Sequence, residues 1–384
     1  MDRKMKKVGV GLIGAGVIAK FHMQGYNSVF ENYGDVKPRF VIVADPKLER
    51  AEILKESYGF EKASTDWEDV IHNPEVELVL ITTPNYLHAE MAIAAAKAGK
   101  HIMCEKPMSM NLEEGQAMVD AVKEAGVISQ VDFVYRKCPT IVEAKKMIDN
   151  GTIGDIVTFR GWFDCAYMAD PATPMMWREY KKFAGTGSMG DLVAHVISLS
   201  DFLLNDQVGG IDEVNCFSDI VYKEREDMFD SSKKAEVDTN DVDYTIVRYK
   251  NGRTGVLYSS RVAVGHDSRL GFEVVGSKGT IKFALNRMNE LEIFIEDGDE
   301  ISRGFKTLAP NPNHGEFRHF CTYGDDGISY PNVMGIQAHS MLAAVADKKP
   351  LDIDIAYGLE VDRIMVAMQE SASTKKAVKV SDMQ

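Results

Sequence analysis

Residues 7–19, KVGVGLIGAGVIA, decide the fold class of this 384-residue chain. An apolar run typical of a buried strand leads into Gly14-Ala15-Gly16, and a helix-like segment follows, which gives the pattern G-x-G-x-x-G/A. In that pattern Gly14 permits a tight turn and Gly16 lets a pyrophosphate approach the backbone. The N-terminus of the following helix would then face the phosphates. The pattern predicts a dinucleotide site, and its structural alternative is an ordinary glycine turn between a strand and a helix.

The same alternation of strand-like and helix-like segments continues to about residue 130. FVIVAD, VELVLITTP and HIMCEKP are apolar runs typical of strands buried on both faces, and helix-like segments separate them. This order predicts a Rossmann domain over residues 1–130, an α/β fold with a doubly wound parallel sheet. The predicted cofactor contacts within its first turn are Gly14, Ala15, Gly16, Val17 and Ile18.

Residues 131–384 have a different pattern. Strand-like segments such as DIVTFRGWFD, DYTIVRYK and RLGFEVVG follow one another and are joined by turns. We expect a second, α+β domain with a large, mainly antiparallel sheet. Packing of the C-terminal helix of this domain against the first domain is compatible with this division. The polar stretch 223–241 is predicted to be a mobile surface loop.

Asp45 at the end of FVIVAD supports NAD as the cofactor. A carboxylate there accepts the ribose hydroxyls of NAD and repels the 2′-phosphate of NADP. The spacing from Gly14 exceeds the usual ~20 residues, and we expect the insertion at 27–39 to absorb the excess as a surface loop. The alternative is that Asp45 caps the next helix, and it can do both. The positive charges of Lys47 and Arg50 are compatible with a 2′-phosphate, so NADP stays open as an alternative cofactor.

Composition and charge exclude several classes of function. A net charge of −14 and a pI near 5.2 argue against nucleic acid or a membrane surface as partner. The N-terminus lacks the pattern of a secretory signal. Five scattered cysteines are typical of a reducing compartment. We therefore expect a cytoplasmic protein, and neither the cysteines nor the histidines have the spacing of a metal site.

Several ordered motifs resemble the Gfo/Idh/MocA family, which is named for glucose–fructose oxidoreductase and inositol dehydrogenase. The resemblance covers nearly the whole chain, and its combination of motifs is specific. The segments that carry it are Ile81–His88, Cys104–Pro107, Tyr135-Arg136, Pro139, Asn150–Gly154, Gly187 with Asp191 and His195, and Val275–Gly279.

Lys106 is the first catalytic candidate. It follows a parallel strand at the edge where open α/β sheets bind ligands, and Pro107 favours an extended backbone before it. A cation there can stabilise the alkoxide that develops on a reacting alcohol. The family resemblance implies this role for the lysine, near the nicotinamide; without the resemblance, a surface lysine at a strand end is the alternative.

Asp191 and His195 are the second and third catalytic candidates. Four residues apart, they would lie on one face of a helix, where a carboxylate can orient an imidazole that acts as general base. A capping box at Ser188 is the structural alternative. The resemblance implies catalytic roles for the D-x-x-x-H pair, although Val193 and Ser198 depart from the usual family pattern and leave substrate detail open.

The resemblance also implies further contacts. Trp177-Arg178 is similar to a segment that approaches cofactor and substrate in members acting on sugars such as levoglucosan; interdomain packing is the alternative for Trp177. Expected cofactor contacts beyond the first turn are Asp45, Thr83, Pro84, Asn85, His88, Glu105, Lys106, Arg136, Trp177 and Arg178. Expected substrate contacts are Lys106, Tyr135, Asp191 and His195.

Together these residues predict an NAD-dependent oxidoreductase that converts a secondary ring hydroxyl to a ketone. The resemblance implies a sugar, glycoside or inositol as substrate, with C3 of a glucoside as one case, and a levoglucosan or glycoside 3-dehydrogenase as the nearest type. The resemblance also implies that the sheet of the second domain is open-faced and serves substrate binding and oligomerisation. The expected oligomer is a homodimer or a homotetramer. A non-catalytic NAD-sensing regulator is one alternative. An enzyme that uses transient oxidation for glycoside cleavage or epimerisation is another.

Overall fold

The computed structural model describes residues 5–296, 303–321, 323 and 326–383. Contacts between residues divide the chain into two compact units. The first contains residues 1–137, 318–322 and 328–360, and the second contains 138–317, 323–327 and 361–384. Residues 131–137 and 328–360, which the sequence assigned to the second domain, therefore group with the first unit.

The first unit is built on a six-stranded sheet in which every pair of neighbouring strands is parallel. The predicted doubly wound α/β fold is confirmed. The strand order is β3-β2-β1-β4-β5-β6. The strands are β1 Lys6–Ile13, β2 Val36–Ala44, β3 Lys62–Ser64, β4 Leu78–Ile81, β5 His101–Cys104 and β6 Ser129–Val131.

Among the described residues, six helices lie wholly within this unit, and one of them comes from late in the chain. They are α1 Val17–Tyr33, α2 Leu48–Tyr58, α3 Glu68–Ile71, α4 His88–Lys97, α5 Leu112–Ala125 and α9 Tyr330–Asp347. Helix α9 packs against α1 so closely that a Cβ on Gly25 would lie 2.7 Å from the carbonyl carbon of Met334. This packing explains why 328–360 groups with the first unit.

The insertion at 27–39 is not a surface loop. Helix α1 continues to Tyr33 and β2 already begins at Val36, so the extra residues lengthen two regular elements. Val29 is buried on this extension, which gives the added helical turns an apolar contact.

The second unit contains a nine-stranded sheet of order β16-β15-β14-β13-β7-β12-β11-β8-β17. All neighbouring pairs are antiparallel except β7 and β12, which confirms the predicted, mainly antiparallel sheet. The strands are β7 Ile156–Asp164, β8 Ile211–Asp219, β11 Val242–Tyr249, β12 Thr254–Ser260, β13 Arg269–Gly276, β14 Gly279–Ala284, β15 Leu291–Ile295, β16 Lys306–Leu308 and β17 Val378–Lys379.

The predicted mobile loop at 223–241 contains a hairpin. Strands β9 (Glu224–Glu226) and β10 (Lys234–Glu236) pair antiparallel. Arg225 on β9 is buried, and its guanidinium donates to the carbonyl oxygens of Met168, Asp170 and Thr173. These hydrogen bonds fasten the polar segment to the chain before it, a constraint that composition does not reveal.

The helices of the second unit are α6 Pro139–Asp149, α7 Lys181–Ala184 and α8 Ala194–Val208, and α10 (Ile355–Thr374) begins in the first unit and continues into the second. A π-helical segment, Met189–Val193, leads directly into α8. Short 3₁₀ segments are Asn85–Leu87, Val134–Lys137, Trp177–Glu179, Leu285–Arg287, Gly315–His319 and Val380–Asp382. Within the described ranges, no helix is both long and apolar enough to cross a membrane.

Candidate active site

The turn after β1 needs a glycine at position 14. Gly14 has φ +91°, and a Cβ there would lie 2.8 Å from the carbonyl oxygen of Thr82. The backbone N–H of Gly14 donates to Ala44 at 2.8 Å, and the Thr82 hydroxyl donates to the Gly14 carbonyl at 2.7 Å. Thr82 therefore ties the turn to β4. Sequence reasoning missed this residue, although it stands inside the quoted ITTP motif.

The N-terminus of α1 offers its backbone N–H groups to a ligand. Gly16 is the N-cap residue, no side chain caps this end, and the first turn carries no acidic residue. A Cβ on Gly16 would meet nothing within 4 Å. Val17 is exposed, Ile18 is half-buried and Ala19 is fully buried. Open space before unpaired N–H groups fits a pyrophosphate, so the glycine turn fits a dinucleotide.

Asp45 connects the glycine turn to the start of α2. Its Oδ2 accepts the N–H of Ala15 and its Oδ1 accepts the N–H of Lys47, both at 2.9 Å. The side chain is 7% exposed. Each carboxylate oxygen keeps a second acceptor position, so this structural role leaves capacity for a ribose hydroxyl.

The segment after β4 brings four predicted residues together. Thr83 and Pro84 are half-buried, and Asn85 is buried at the start of a 3₁₀ turn. His88 is fully buried; its Nε2 lies 3.0 Å from the Thr83 carbonyl oxygen and its Nδ1 lies 2.9 Å from that of Pro107. Burial lowers the pKa of His88. A neutral imidazole has one N–H, so the ring donates to one of these carbonyl oxygens and only contacts the other, and it lies between the segments that follow β4 and β5.

Glu105 and Lys106 follow β5 directly. The N–H of Glu105 donates to Ile81 at 3.0 Å, which continues the sheet by one residue. The N–H of Lys106 donates to Oε2 of Glu105 at 3.2 Å. Glu105 is buried and Lys106 is half-buried. The carboxylate thus holds the backbone from which the lysine projects.

The other oxygen of Glu105 belongs to a polar cluster that the sequence did not reveal. Nε2 of His22 lies 2.7 Å from Oε1 of Glu105 and 3.3 Å from Oδ2 of Asp132. Gln337 donates to Oδ1 of Asp132 at 2.6 Å. Because His22 stands among apolar residues on one face of α1, its sequence pattern predicts only core packing.

Tyr135 and Arg136 lie in a 3₁₀ turn, and both are buried. Nη2 of Arg136 is 3.3 Å from Oδ2 of Asp352, and the guanidinium lies 4.6 Å from the ring centroid of Tyr357. The Tyr135 ring packs against Tyr330. Both predicted residues are therefore fixed by partners within the first unit.

In the second unit, Trp177 and Arg178 form a short 3₁₀ turn near Asp191. The Arg178 guanidinium lies 4.3 Å from the Trp177 ring centroid, a cation–π contact. Its Nε is 3.5 Å from Oδ1 of Asp191. Arg178 therefore contacts a predicted catalytic residue.

Asp191 has a second partner that the sequence did not predict. The hydroxyl of Tyr167 donates to Oδ2 of Asp191 at 2.6 Å. Burial, followed by the charge of Asp191, raises the pKa of Tyr167 well above its usual value, so the phenol stays a donor. Tyr167 and Arg178 therefore both contact the Asp191 side chain. A single tyrosine in a loop gives no sequence signal for this role.

His195 is in the first turn of α8 and is 7% exposed. Its ring lies 6.0 Å, centroid to centroid, from the Phe163 ring. Asp191 stands on the π-helical segment instead of a continuous α-helix. The sequence could not predict this local change of helix type, which is frequent at functional sites.

Buried polar networks support the segments that carry these residues. Nε of Arg261 is 2.7 Å from Oδ1 of Asp241, and its Nη1 is 3.1 Å from Oε1 of Glu179, the residue after Arg178. Asp243 accepts the hydroxyl of Ser188 at 2.5 Å, immediately before the π-helical segment. These buried ion pairs and hydrogen bonds therefore fix the Trp177–Glu179 turn and the start of the π-helical segment.

Comparison with known proteins gives the family and its cofactor domain. Residues 8–133 match the GFO_IDH_MocA model, described as an oxidoreductase family with an NAD-binding Rossmann fold. Residues 141–282 match the model of the GFO/IDH/MocA C-terminal domain.

Curated relatives and solved structures indicate the same family as the family models. The chain is 35% identical to levoglucosan dehydrogenase of Pseudarthrobacter phenanthrenivorans, over 98% of this chain and 99% of that one. It is 32% identical to myo-inositol 2-dehydrogenase of Thermotoga maritima, over 77% and 80%. A structure of levoglucosan dehydrogenase in complex with NADH and levoglucosan matches with a TM-score of 0.93 and 36% identity, over 98% of this chain and 100% of that one. The chain belongs to the Gfo/Idh/MocA family of oxidoreductases, and its first unit is the family's NAD-binding Rossmann domain.

Proposed function

We propose that this protein is an NAD-dependent dehydrogenase that oxidises a secondary ring hydroxyl of a sugar, glycoside or inositol to a ketone. The observation that carries the proposal is the pair of contacts that Asp191, four residues before His195, makes with Tyr167 and Arg178. Full-length similarity to an enzyme named for levoglucosan, and similarity over about three quarters of the chain to inositol dehydrogenases, support this substrate class.

Residues of the first unit would hold NAD. The glycine turn and the N-terminus of α1 would bind the pyrophosphate, and Asp45 the ribose hydroxyls. The remaining predicted contacts to the cofactor are Thr83, Pro84, Asn85, His88, Glu105, Lys106 and Arg136 of the first unit, together with Trp177 and Arg178 of the second. When bound, NAD accepts the two electrons removed from the alcohol carbon.

The catalytic roles follow from the chemistry of each side chain. His195 takes the proton of the substrate hydroxyl as general base. Asp191 keeps the imidazole oriented and stabilises its positive charge. Lys106 donates a hydrogen bond to the substrate oxygen and stabilises its negative charge. Tyr135 contributes to the substrate pocket.

The test is an assay of purified protein with NAD or NADP and a panel of levoglucosan, alkyl glucosides, myo-inositol and scyllo-inositol. Formation of NADH with a ring ketone as product is the expected result. Lys106→Ala and His195→Ala should each abolish turnover and keep NAD binding. Near-normal turnover in either variant would contradict its assigned role.

Two other outcomes separate the alternatives. Binding of NAD without turnover of any polyol would favour an NAD-sensing regulator. Cleaved or epimerised products, without net formation of NADH, would favour transient oxidation.

A homo-oligomer is part of the proposal, and the outer face of the large sheet supports it. Alternation along β11 buries Thr245 and Val247 and exposes Tyr244 and Ile246. Cross-strand neighbours extend this apolar surface, which we call the outer sheet face: Phe217, Tyr244, Ile246 and Val256, each at least 40% exposed. A contiguous apolar face of this kind is typical of a subunit interface.

The acidic pI further supports a cytoplasmic protein.

A further inference from the structure

His22, Glu105 and Asp132 form a buried cluster of titratable groups outside the predicted catalytic set. Each side chain is at least 90% buried. Nε2 of His22 contacts one oxygen of each carboxylate, at 2.7 Å and 3.3 Å. Two carboxylates in an apolar interior need a compensating charge or proton, and the imidazole is the group within hydrogen-bonding distance of both.

The topology of the sheet explains why the three residues meet. Strands β5 and β6 are parallel neighbours in which Cys104 pairs with Val131, so the next residues, Glu105 and Asp132, emerge at the same edge. The N–H of Asp132 donates to Cys104 at 2.9 Å and keeps this register. Helix α1 brings His22 to both strand ends.

Glu105 connects this cluster to the backbone of Lys106. One of its oxygens is hydrogen-bonded to His22 and the other accepts the Lys106 N–H. We infer that His22 is a positioning residue for Lys106 and acts through the Glu105 carboxylate. The inference rests on the proposed function, because Lys106 matters only if a substrate oxygen is bound there.

The charges of the cluster agree with this role. Burial alone would lower the pKa of His22, but hydrogen bonds to Asp132 and Glu105 raise it to about 9. Burial and the charge of Asp132 raise the pKa of Glu105 to about 7. Burial opposes ionisation of Asp132, yet its hydrogen bond to His22 holds its pKa below the usual range. His22 is therefore a cation at neutral pH, and Glu105 is the member that titrates.

Other polar groups adjoin the cluster from each element packed on it. Tyr26 comes from α1, Tyr135 from the turn after β6, and Tyr330 and Gln337 from α9. Burial raises the pKa of Tyr26 and of Tyr330, so both phenols remain neutral.

Protonated Glu105 donates to Asp132 and becomes a weaker acceptor for the Lys106 N–H.

The test compares His22→Gln, Glu105→Gln and the control Met23→Leu, a volume-conserving change on the same buried face of α1. We expect His22→Gln to lower kcat about 10- to 100-fold, because a misplaced catalytic group costs that much, and to change NAD affinity less than about twofold. Loss of the cation should also shift the low-pH limb of kcat to higher pH. Glu105→Gln should remove the contribution of Glu105 to that limb and leave only the part due to protonation of the general base, and Met23→Leu should keep the wild-type profile.

Circular dichroism and NAD binding establish that each variant is folded. If His22→Gln does not fold, two other measurements test the inference. They are the pH profile of Glu105→Gln and an NMR titration of His22 in the wild type. An unchanged kcat and pH profile in a folded His22→Gln, or an imidazole that titrates near pH 6.5, would overturn the inference. A stoichiometric metal ion held by the wild type and lost from His22→Gln would also overturn it. A wild type that binds NAD and oxidises no polyol instead refutes the proposed function.

Discussion

The hydroxyl of Tyr167 lies 2.6 Å from Oδ2 of Asp191, within the second unit. The pair combines a buried neutral donor with a carboxylate that the sequence predicts to be catalytic. Because burial keeps Tyr167 protonated, the hydrogen bond persists across the working pH range. It fixes Asp191 without removing its charge, which a general-base histidine needs from its partner.

Tyr167→Phe should therefore lower kcat of the proposed sugar oxidation about 10- to 100-fold, since one hydrogen bond to a charged group is worth about 1.5–3 kcal/mol. NAD affinity should not change. Tyr180→Phe is the matched control, because Tyr180 donates to Asp227, at 3.0 Å, outside this site. Steady-state kinetics with both variants check the prediction. Equal effects of the two substitutions would contradict the role of Tyr167.

Asp45→Ser tests cofactor choice. Loss of the carboxylate should raise KM for NAD and lower the preference for NAD over NADP, because repulsion of a 2′-phosphate disappears. Stability should also fall by about 1 kcal/mol, since Asp45 accepts two backbone N–H groups. Asp66→Ser, which alters a similar backbone contact at Glu68, is the control. An unchanged ratio of kcat/KM for the two cofactors would refute the assignment.

Ile246→Lys tests the outer sheet face. A charge at a 54% exposed position on this face should dissociate the expected oligomer, because it would be desolvated in an interface. Size-exclusion chromatography with light scattering measures the mass. Val264→Lys changes an apolar residue that is 81% exposed outside the outer sheet face, and it should have no effect. A monomeric wild type, or an oligomer that survives Ile246→Lys, would contradict the interface.

The cluster around His22 predicts how stability depends on pH. The folded pKa of His22 is raised from 6.5 to about 9, so its stabilisation is complete below pH 6.5 and is lost as pH rises through 9. The pKa of Glu105, raised to about 7, acts in the same direction at lower pH. The unfolding free energy should fall by up to about 3 kcal/mol between pH 7 and about pH 10. Urea unfolding measures it.

The matched variants separate His22 from other alkaline effects. His22→Gln should flatten this decline, and Met23→Leu should preserve it. An equal slope in the wild type and His22→Gln would show that the imidazole is neutral in the folded protein.

Much of the fold could be predicted because its signals are local. The glycine turn at 14–16, the apolar strands and the turn-linked second sheet depend on short-range periodicity and backbone sterics. The placement of 328–360 in the first unit could not be predicted, because it depends on the close approach of Gly25 to Met334, which are far apart in sequence.

The candidate site divides in the same way. Lys106 and His195 could be predicted because each stands in a motif that carries the family resemblance. Tyr167 and His22 were missed because their roles arise from partners that lie 24 and 83 residues away in the sequence, Asp191 and Glu105. The π-helical turn at Met189–Val193 was also missed, since composition alone does not distinguish it from an α-helix.

Arg261→Met tests whether the ionic network under Arg178 fixes the loop. Arg261 is fully buried between Glu179 and Asp241, and its removal leaves both carboxylates without their cation. The loss should be about 3–5 kcal/mol in urea unfolding. Arg269→Met removes an arginine that is 46% exposed and 3.9 Å from Asp164, and should cost less than about 1 kcal/mol. Because the network also holds the backbone at Arg178 and Glu179, Arg261→Met should raise KM for the sugar even where the protein remains folded. A stability loss no larger than that of Arg269→Met would mean that the buried carboxylates find other partners.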